Sequence, residues 1–246
     1  MLEQVRIVLV ETSHPGNIGA VARAMKNMCL ARLALVRPHR YPSAEATARA
    51  SGADDLLEGA MVTATLDEAL ADCGLVIGAS ARRRTVEWPE LDPRECANEV
   101  MRAAPAGPVA LVFGRENSGL TNDELGRCRF LVHIPANPDY TSLNLAMAVQ
   151  VIAYELLMAS RGVAGGTQTI TAAVRERASA AQLQGLFEHL EQALNDFGFA
   201  DERRSEKLMR RLRRLFLRAE PDADDINILR GILSAGQGRK SMRRDA

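Results

Sequence analysis

Four stretches of the chain hold residues whose type and spacing could do chemistry. The first is Ile134–Glu155, IPANPDYTSLNLAMAVQVIAYE, a polar, Pro-bearing loop that runs into an apolar helix. Thr141, Ser142 and Asn144 stand at the join, where a helix start leaves backbone N–H groups free. Ser142 and Asn144 read equally as a helix cap with a first-turn residue and as groups that meet a ligand. The second stretch is Gly114–Gly119, GRENSG, directly after an apolar run. Its glycines have P-loop spacing, but Leu120 stands where a triphosphate would need Lys. A glycine after a buried strand lets a ligand approach the backbone, and strand C-termini are where open α/β sheets bind ligands. An ordinary strand-to-helix turn is the other reading. The third is Arg23, on the polar side of a helix expected over Asn17–Met28, either solvated or aimed at a ligand. The fourth is a pair of basic clusters, Arg82–Arg84 and Arg203–Arg218. The latter has eight basic residues against one acid, with Leu208, Leu212, Leu215 and Phe216 at helical spacing between them. Such a helix suits phosphates, a membrane surface, a partner helix or simple solvation.

The elements that must position these residues alternate. Val5–Glu11 is a β-branched and aliphatic run expected as a buried strand. Ile18, Val21, Ala22, Met25 and Met28 then recur at helical spacing, with Asn17 as a cap. Strands are expected over Arg32–Arg37, Met61–Ala64, Gly74–Ser80, Pro108–Phe113 and Phe130–Ile134. Helices are expected over Ala44–Ala50, Leu66–Ala71, Asp92–Ala104 and Asn122–Cys128. Strands alternating with helices imply an α/β domain with a mostly parallel sheet. In the helix after Asn144, Leu145, Val149 and Ile152 fall on one side and Met147, Val151 and Tyr154 on another. A helix apolar nearly all round is buried on both sides. One side would meet its own sheet and the other a second copy of the chain.

Arg161–Thr169 is Gly-rich and reads as a flexible linker. Beyond it the pattern is helical only. Ser179–Asn195 starts with Ser179 and Gln182 in capping-box spacing. Its apolar face is Leu183, Leu186, Phe187, Leu190 and Leu194. Arg204–Ala219 and Asp222–Ser234 complete a three-helix unit, and Gln237–Ala246 is a polar, frayed end. The division is therefore 1–160, a linker at 161–172, and a helical extension at 173–246.

With 246 residues and 47% hydrophobic content, the chain can fill a proper core. Its net charge of zero combines a slightly acidic body with a slightly basic tail. Cys29, Cys73, Cys96 and Cys128 form no CxxC pair and read as buried hydrophobes in a reducing cytoplasm. The four histidines show no metal-ligand spacing, and no Ser-His-Asp order is present. The charged, short apolar N-terminus is neither a signal peptide nor a membrane span.

Taken together, three motifs resemble the SPOUT class of RNA methyltransferases: Asn17-Ile-Gly-Ala-Val-Ala-Arg23, Phe113-Gly-Arg-Glu-Asn-Ser-Gly-Leu120 and Ile134–Val149. Their order and spacing are those of the 2′-O-methylating branch. The stretches VRIVLVETSHPGNIGAVARAMKNM, LDPREC and NPDYTSLNLAMAVQVIAYE are similar to a bacterial group that methylates the ribose of nucleotide 32, C or U, in the tRNA anticodon loop. Another tRNA or rRNA position, or a non-catalytic RNA-binding factor with this fold, are the alternatives. The resemblance implies a SPOUT-type α/β knot, with the C-terminal part of the domain threaded as a trefoil, then a small all-α domain. It implies a homodimer in the cytoplasm that acts on tRNA, with S-adenosylmethionine as methyl donor, S-adenosylhomocysteine as product and no metal. By motif position the cofactor would meet Ala79, Ser80, Ala81, Gly114, Ile134, Thr141, Ser142 and Leu143. Position 79 is Ala where related sequences often carry Thr, so only a backbone contact would survive there. Arg23, Ser142 and Asn144 would serve catalysis. Arg82, Arg83, Arg84, Arg115, Arg203, Arg204, Lys207, Arg210, Arg211 and Arg214 would face RNA, with bracing of the loop as the other reading of Arg115 and Glu116.

Overall fold

A computed structural model describes residues 1–81, 88–165, 177–199 and 202–238, with the side chains of 163–165 and 202–205 outside that description. The chain forms two compact units, Met1–Val174 and Arg175–Ala246. The first holds seven strands among the described residues: β1 (Val5–Val10), β2 (Arg32–Val36), β3 (Met61–Thr63), β4 (Leu75–Ala79), β5 (Glu90–Leu91), β6 (Val109–Phe113) and β7 (Phe130–Val132). They form one sheet in the order β3-β2-β1-β6-β4-β7-β5, and every pairing is parallel. Parallel strands buried on both faces need continuous apolar runs rather than alternation. β6 meets that demand, and β1 does so but for Arg6; both are buried at every position.

Helices α1 (Pro15–Asn27), α2 (Ala44–Ala50), α3 (Asp54–Glu58), α4 (Leu66–Leu70), α5 (Pro93–Ala103), α6 (Asn122–Leu125) and α7 (Leu145–Gly165) flank the sheet. Pro15 starts α1 at a position where its missing N–H costs nothing. Asn17 is therefore inside the helix and not its cap, which leaves its side chain available elsewhere. Gly19 brings α1 against α2: a Cβ there would stand 2.0 Å from the Ala46 carbonyl oxygen. Asp92 and Glu95 close a capping box on α5, as do Thr121 and Glu124 on α6. Both α1 and α5 pack on α7, whose Leu145, Val149, Ile152 and Leu156 enter the main core with Ile7, Leu9 and Phe113. Each such side chain contributes about 1.5–3 kcal/mol by leaving water. β1 also buries Arg6, which is paired through both terminal nitrogens with Asp72 at 2.6 and 2.8 Å.

Several expectations are corrected. Cys29, expected to be buried with the other three cysteines, is exposed. On α7 the Leu145 side is covered, and the side given to a second copy, Met147, Val151 and Tyr154, is 61, 37 and 49% exposed in the single chain. Two elements were not foreseen: α3, five residues long, and β5, two residues paired with β7. The linker was expected to begin at 161, but α7 continues to Gly165. The remaining linker positions, Arg82–Arg84 and most of the 237–246 end lie outside the described residues.

The second unit has α8 (Ala180–Asp196), α9 (Glu202–Ala219) and α10 (Ala223–Gly236). Ser179–Gln182 and Asp222–Asp225 capping boxes set the starts of α8 and α10. Ala178, Leu186 and Ile226 form its buried centre, with Leu183, Phe216, Leu229 and Leu233 against them. On α9 the buried apolar residue is Met209, while Leu215 is exposed. Among the described residues no helix is long and apolar enough to cross a membrane.

Candidate functional site

The C-terminal ends of β4, β6 and β7 lie side by side in the sheet. The segments leaving them enclose a cavity of about 560 Å³. Ala79–Ala81 follows β4, Gly114–Leu120 follows β6, and Ile134 with Tyr140–Leu145 follows β7; His14 and Asn17 border the cavity from the start of α1. All eight positions expected to meet a cofactor line this one cavity, as do Ser142 and Asn144. Leu120, Val132, Ile134, Leu143 and Leu145 supply apolar surface. No hydrogen bond among the described residues takes the N–H groups of Thr141, Ser142 or Leu143. Unpaired N–H groups beside an apolar wall suit a flat, heteroatom-bearing ligand.

The Gly114–Gly119 loop folds back on itself, with Arg115 and Gly119 exchanging backbone hydrogen bonds of 3.2 and 2.9 Å. Gly119 has φ +70°, and a Cβ at Gly114 would fall 2.2 Å from the Gly119 carbonyl carbon. Both positions therefore require glycine. Arg115 is held in the fold: its Nε donates to Glu11 at 2.6 Å and its terminal nitrogens to both Glu124 oxygens at 3.0 Å. Glu124 and Glu11 push its pKa above the ordinary guanidinium value. Arg115 thus braces the loop, the second of the two readings the sequence allowed. Burial pushes the Glu124 carboxyl up, but Arg115 and the Thr121 N–H outweigh this and hold it below the usual range.

Glu116 ties the loop to α1. One carboxylate oxygen accepts from the Ser13 N–H at 3.2 Å and the Ser13 hydroxyl at 3.0 Å. The other accepts from the His14 N–H at 3.3 Å and Asn17 Nδ2 at 3.0 Å. Burial raises its pKa, yet Asn17 and the backbone N–H groups of Glu116, Ser13 and His14 bring it below the usual value. Asn17 Oδ1 then accepts from Asn144 Nδ2 at 3.1 Å. Asn144 in turn accepts from the Ala146 N–H at 2.9 Å, which makes it the cap of α7. Asn144, not Ser142, caps the helix; Ser142 lies two residues outside it, exposed. Three separate segments are therefore joined by Glu116–Asn17–Asn144. Asn17 was missed because it was read as a cap. Pro15, two residues before it, which displaces the helix start, was the available signal.

Comparison with known proteins adds a family to this geometry. The model of the SpoU rRNA Methylase family matches residues 4–154. The chain belongs to the SpoU methylase family. A second model, the C-terminal domain of the tRNA methyltransferase TrmJ, matches residues 181–246. The chain is 51% identical over 244 residues to the tRNA (cytidine/uridine/adenosine-2′-O-)-methyltransferase TrmJ of Pseudomonas aeruginosa, covering 96% of this chain and 95% of that one. It is 52% identical over 235 residues to the tRNA (cytidine/uridine-2′-O-)-methyltransferase TrmJ of Salmonella typhimurium, covering 96 and 97%. The crystal structure of TrmJ from Z. mobilis ZM4 superposes with a TM-score of 0.82 at 34% identity, covering 94 and 97%. The fold is accordingly the SPOUT-type α/β knot with an all-α extension.

One residue expected in this SpoU site is not in the cavity. Arg23 is exposed on α1 and lines a separate groove with Asn27, Met147, Gln150 and Val151. Among the described residues it makes no hydrogen bond or ion pair. In the extension, Lys207, Arg210 and Arg211 are exposed and Arg214 is half-buried, with Arg210 3.5 Å from Glu206. Arg203 and Arg204 lie on α9, their side chains outside the described residues. Arg213 is committed inward, over the Phe187 ring at 4.6 Å and donating to Gln184. No group of His, Cys, Asp and Glu suited to a metal occurs among the described residues.

Proposed function

We propose that this SpoU methylase transfers the methyl group of S-adenosylmethionine to the ribose 2′-oxygen of nucleotide 32 in the tRNA anticodon loop. The observation that carries the reading is the convergence of Ala79–Ala81, Gly114 and Ile134–Leu143 on one cavity at three adjacent strand ends. The residues fit the donor. Leu120, Leu143 and Leu145 offer apolar faces to an adenine, and the open N–H groups of Thr141–Leu143 can read its edge or hold the methionine end. When bound, the donor supplies an electrophilic methyl on a sulfonium whose departure leaves a neutral thioether, so no metal is needed to carry charge. The protein's task is alignment of oxygen, methyl and sulfur. Ser142, exposed at the cavity, and Asn144, fixed by Asn17 and by its cap bond, orient the ribose. Arg23 is a charge and not a base, since a guanidinium keeps its protons. It holds a phosphate or the developing alkoxide.

Arg23 shares its groove with the open α7 face. Pairing of two copies through Met147, Val151 and Tyr154 would cover that face and bring Arg23 toward a second chain's cavity. This supports a homodimer as the active form. The basic side of α9 reaches the tRNA body through phosphates. Titration calorimetry with S-adenosylmethionine tests the cavity: one donor per chain is expected, and no heat of binding would overturn the reading.

A further inference from the structure

Methyl transfer to a ribose releases the 2′-hydroxyl proton, and the residues named above do not receive it. Among the described residues lining the cavity, the ionisable side chains are His14, Arg115, Glu116 and Tyr140. Arg115 has no lone pair to offer and is held by Glu11 and Glu124. Glu116 already accepts four hydrogen bonds. A phenol is a poor base at neutral pH. We propose that the His14 imidazole accepts the 2′-hydroxyl proton, a role that rests on the ribose-methylation reading above.

The seat of His14 is fixed while its side chain is open. Its N–H donates to Glu116, and its carbonyl accepts from the Asn17 N–H at 2.9 Å. Pro15, buried, follows it as the first residue of α1. The backbone is thus held from the Glu116 loop, from α1 and by a ring that fixes φ. The imidazole is exposed and enters no hydrogen bond or ion pair among the described residues. It therefore keeps a lone pair for an incoming hydroxyl, and imidazole is the side chain best suited to proton transfer near neutral pH. The charged groups around this turn are Glu116 on the loop side and Glu45 and Arg49 of α2, which come against the neighbouring Gly16. The step balances. The 2′-oxygen lone pair forms the bond to the methyl carbon as the carbon–sulfur bond breaks and its pair stays on sulfur. The hydroxyl proton passes to an imidazole nitrogen, and the imidazolium then returns it to water.

The test uses the full chain, unmodified tRNA transcript and labelled S-adenosylmethionine in single-turnover reactions over a range of pH. H14A and H14N are expected to transfer at least about tenfold more slowly near neutrality, at the low end for a lost general base. Donor affinity by calorimetry should stay within about twofold. The decline of the wild-type rate toward acid pH should disappear in both variants, and added imidazole should restore part of the H14A rate. A merely structural role would produce neither the lost acid decline nor the rescue by imidazole. Rates and pH profiles equal to wild type would overturn the proposal and leave water as the acceptor. A loss of donor affinity that accounts for the whole defect would overturn it as well. A wild-type chain that methylates no tRNA would overturn instead the function on which it rests.

Discussion

Replacing Glu116 by Gln tests the joint between loop, α1 and α7. The two side chains have the same shape, so the change is confined to charge and to one acceptor oxygen. In the structure each carboxylate oxygen accepts two hydrogen bonds. A glutamine amide must set its NH₂ against one of these pairs. Facing Ser13, the hydroxyl can turn, but the Ser13 N–H cannot. Facing His14 and Asn17, the Asn17 amide could flip only by giving up its acceptance from Asn144. Every arrangement leaves at least one N–H opposed to an N–H. Hydrogen bonds to a charged partner are worth about 1.5–3 kcal/mol each, and two are lost; partial exposure lets water replace much of this, leaving about 2 kcal/mol. If half of that falls on overall stability, Tm drops by roughly 2–4 °C for a unit of this size. The remainder, about 1 kcal/mol, appears as misplacement of Asn144, a loss of about fivefold in transfer rate. Thermal unfolding, donor calorimetry and single-turnover transfer measure the three parts. A double-mutant cycle with Asn17→Ala should show coupling of about 0.5 kcal/mol or more. A Glu116→Gln chain with wild-type Tm and wild-type transfer rate would refute the claim that this carboxylate positions the site.

Four further outcomes follow from the same geometry. Gly114→Ala should abolish donor binding in calorimetry and cost at least about 2 kcal/mol, because the added methyl meets backbone that cannot rotate away. Glu116 and Glu124 both have lowered pKa values in the fold. Their contribution to stability is present above the ordinary carboxylate value of about 4.3 and is lost as pH falls through the lower folded values. Denaturant midpoints should therefore hold to about pH 5 and fall below about pH 4, less steeply in Glu116→Gln. Arg23→Ala should lose about a hundredfold or more of transfer rate with donor affinity intact, and mixing it with an Asn144→Ala chain should recover activity if each site draws on two copies. A chain ended after Val174 should still bind the donor but methylate full-length tRNA poorly, measured against the intact protein.

Much of this fold was legible because its central strands are mostly apolar and several of its helices have strong caps. Val109–Phe113 is apolar throughout and Val5–Val10 is so but for Arg6, which marks both as buried strands, and the Ser179–Gln182 pair marks the start of α8 to the residue. What was not legible is short or set by tertiary contact. α3 has too few residues for a period, and β5 exists only because β7 offers it an edge. The open face of α7 could not be told from a buried one by its residues alone, since Met147, Val151 and Tyr154 are as apolar as a core. The residues that line the cavity were readable through motif positions, while the Glu116–Asn17–Asn144 chain of contacts was not. It joins residues 127 positions apart in sequence, and polar side chains in a loop and at helix starts carry no periodicity that would reveal their partners.

The destination of the methyl group decides the function. Incubation of the purified protein with unmodified tRNA transcripts and labelled S-adenosylmethionine, followed by nuclease digestion and mass mapping, measures this directly. The expected result is a single 2′-O-methyl group on the ribose of nucleotide 32. Methylation of a base, of another tRNA position or of ribosomal RNA only, or no transfer at all, would contradict it.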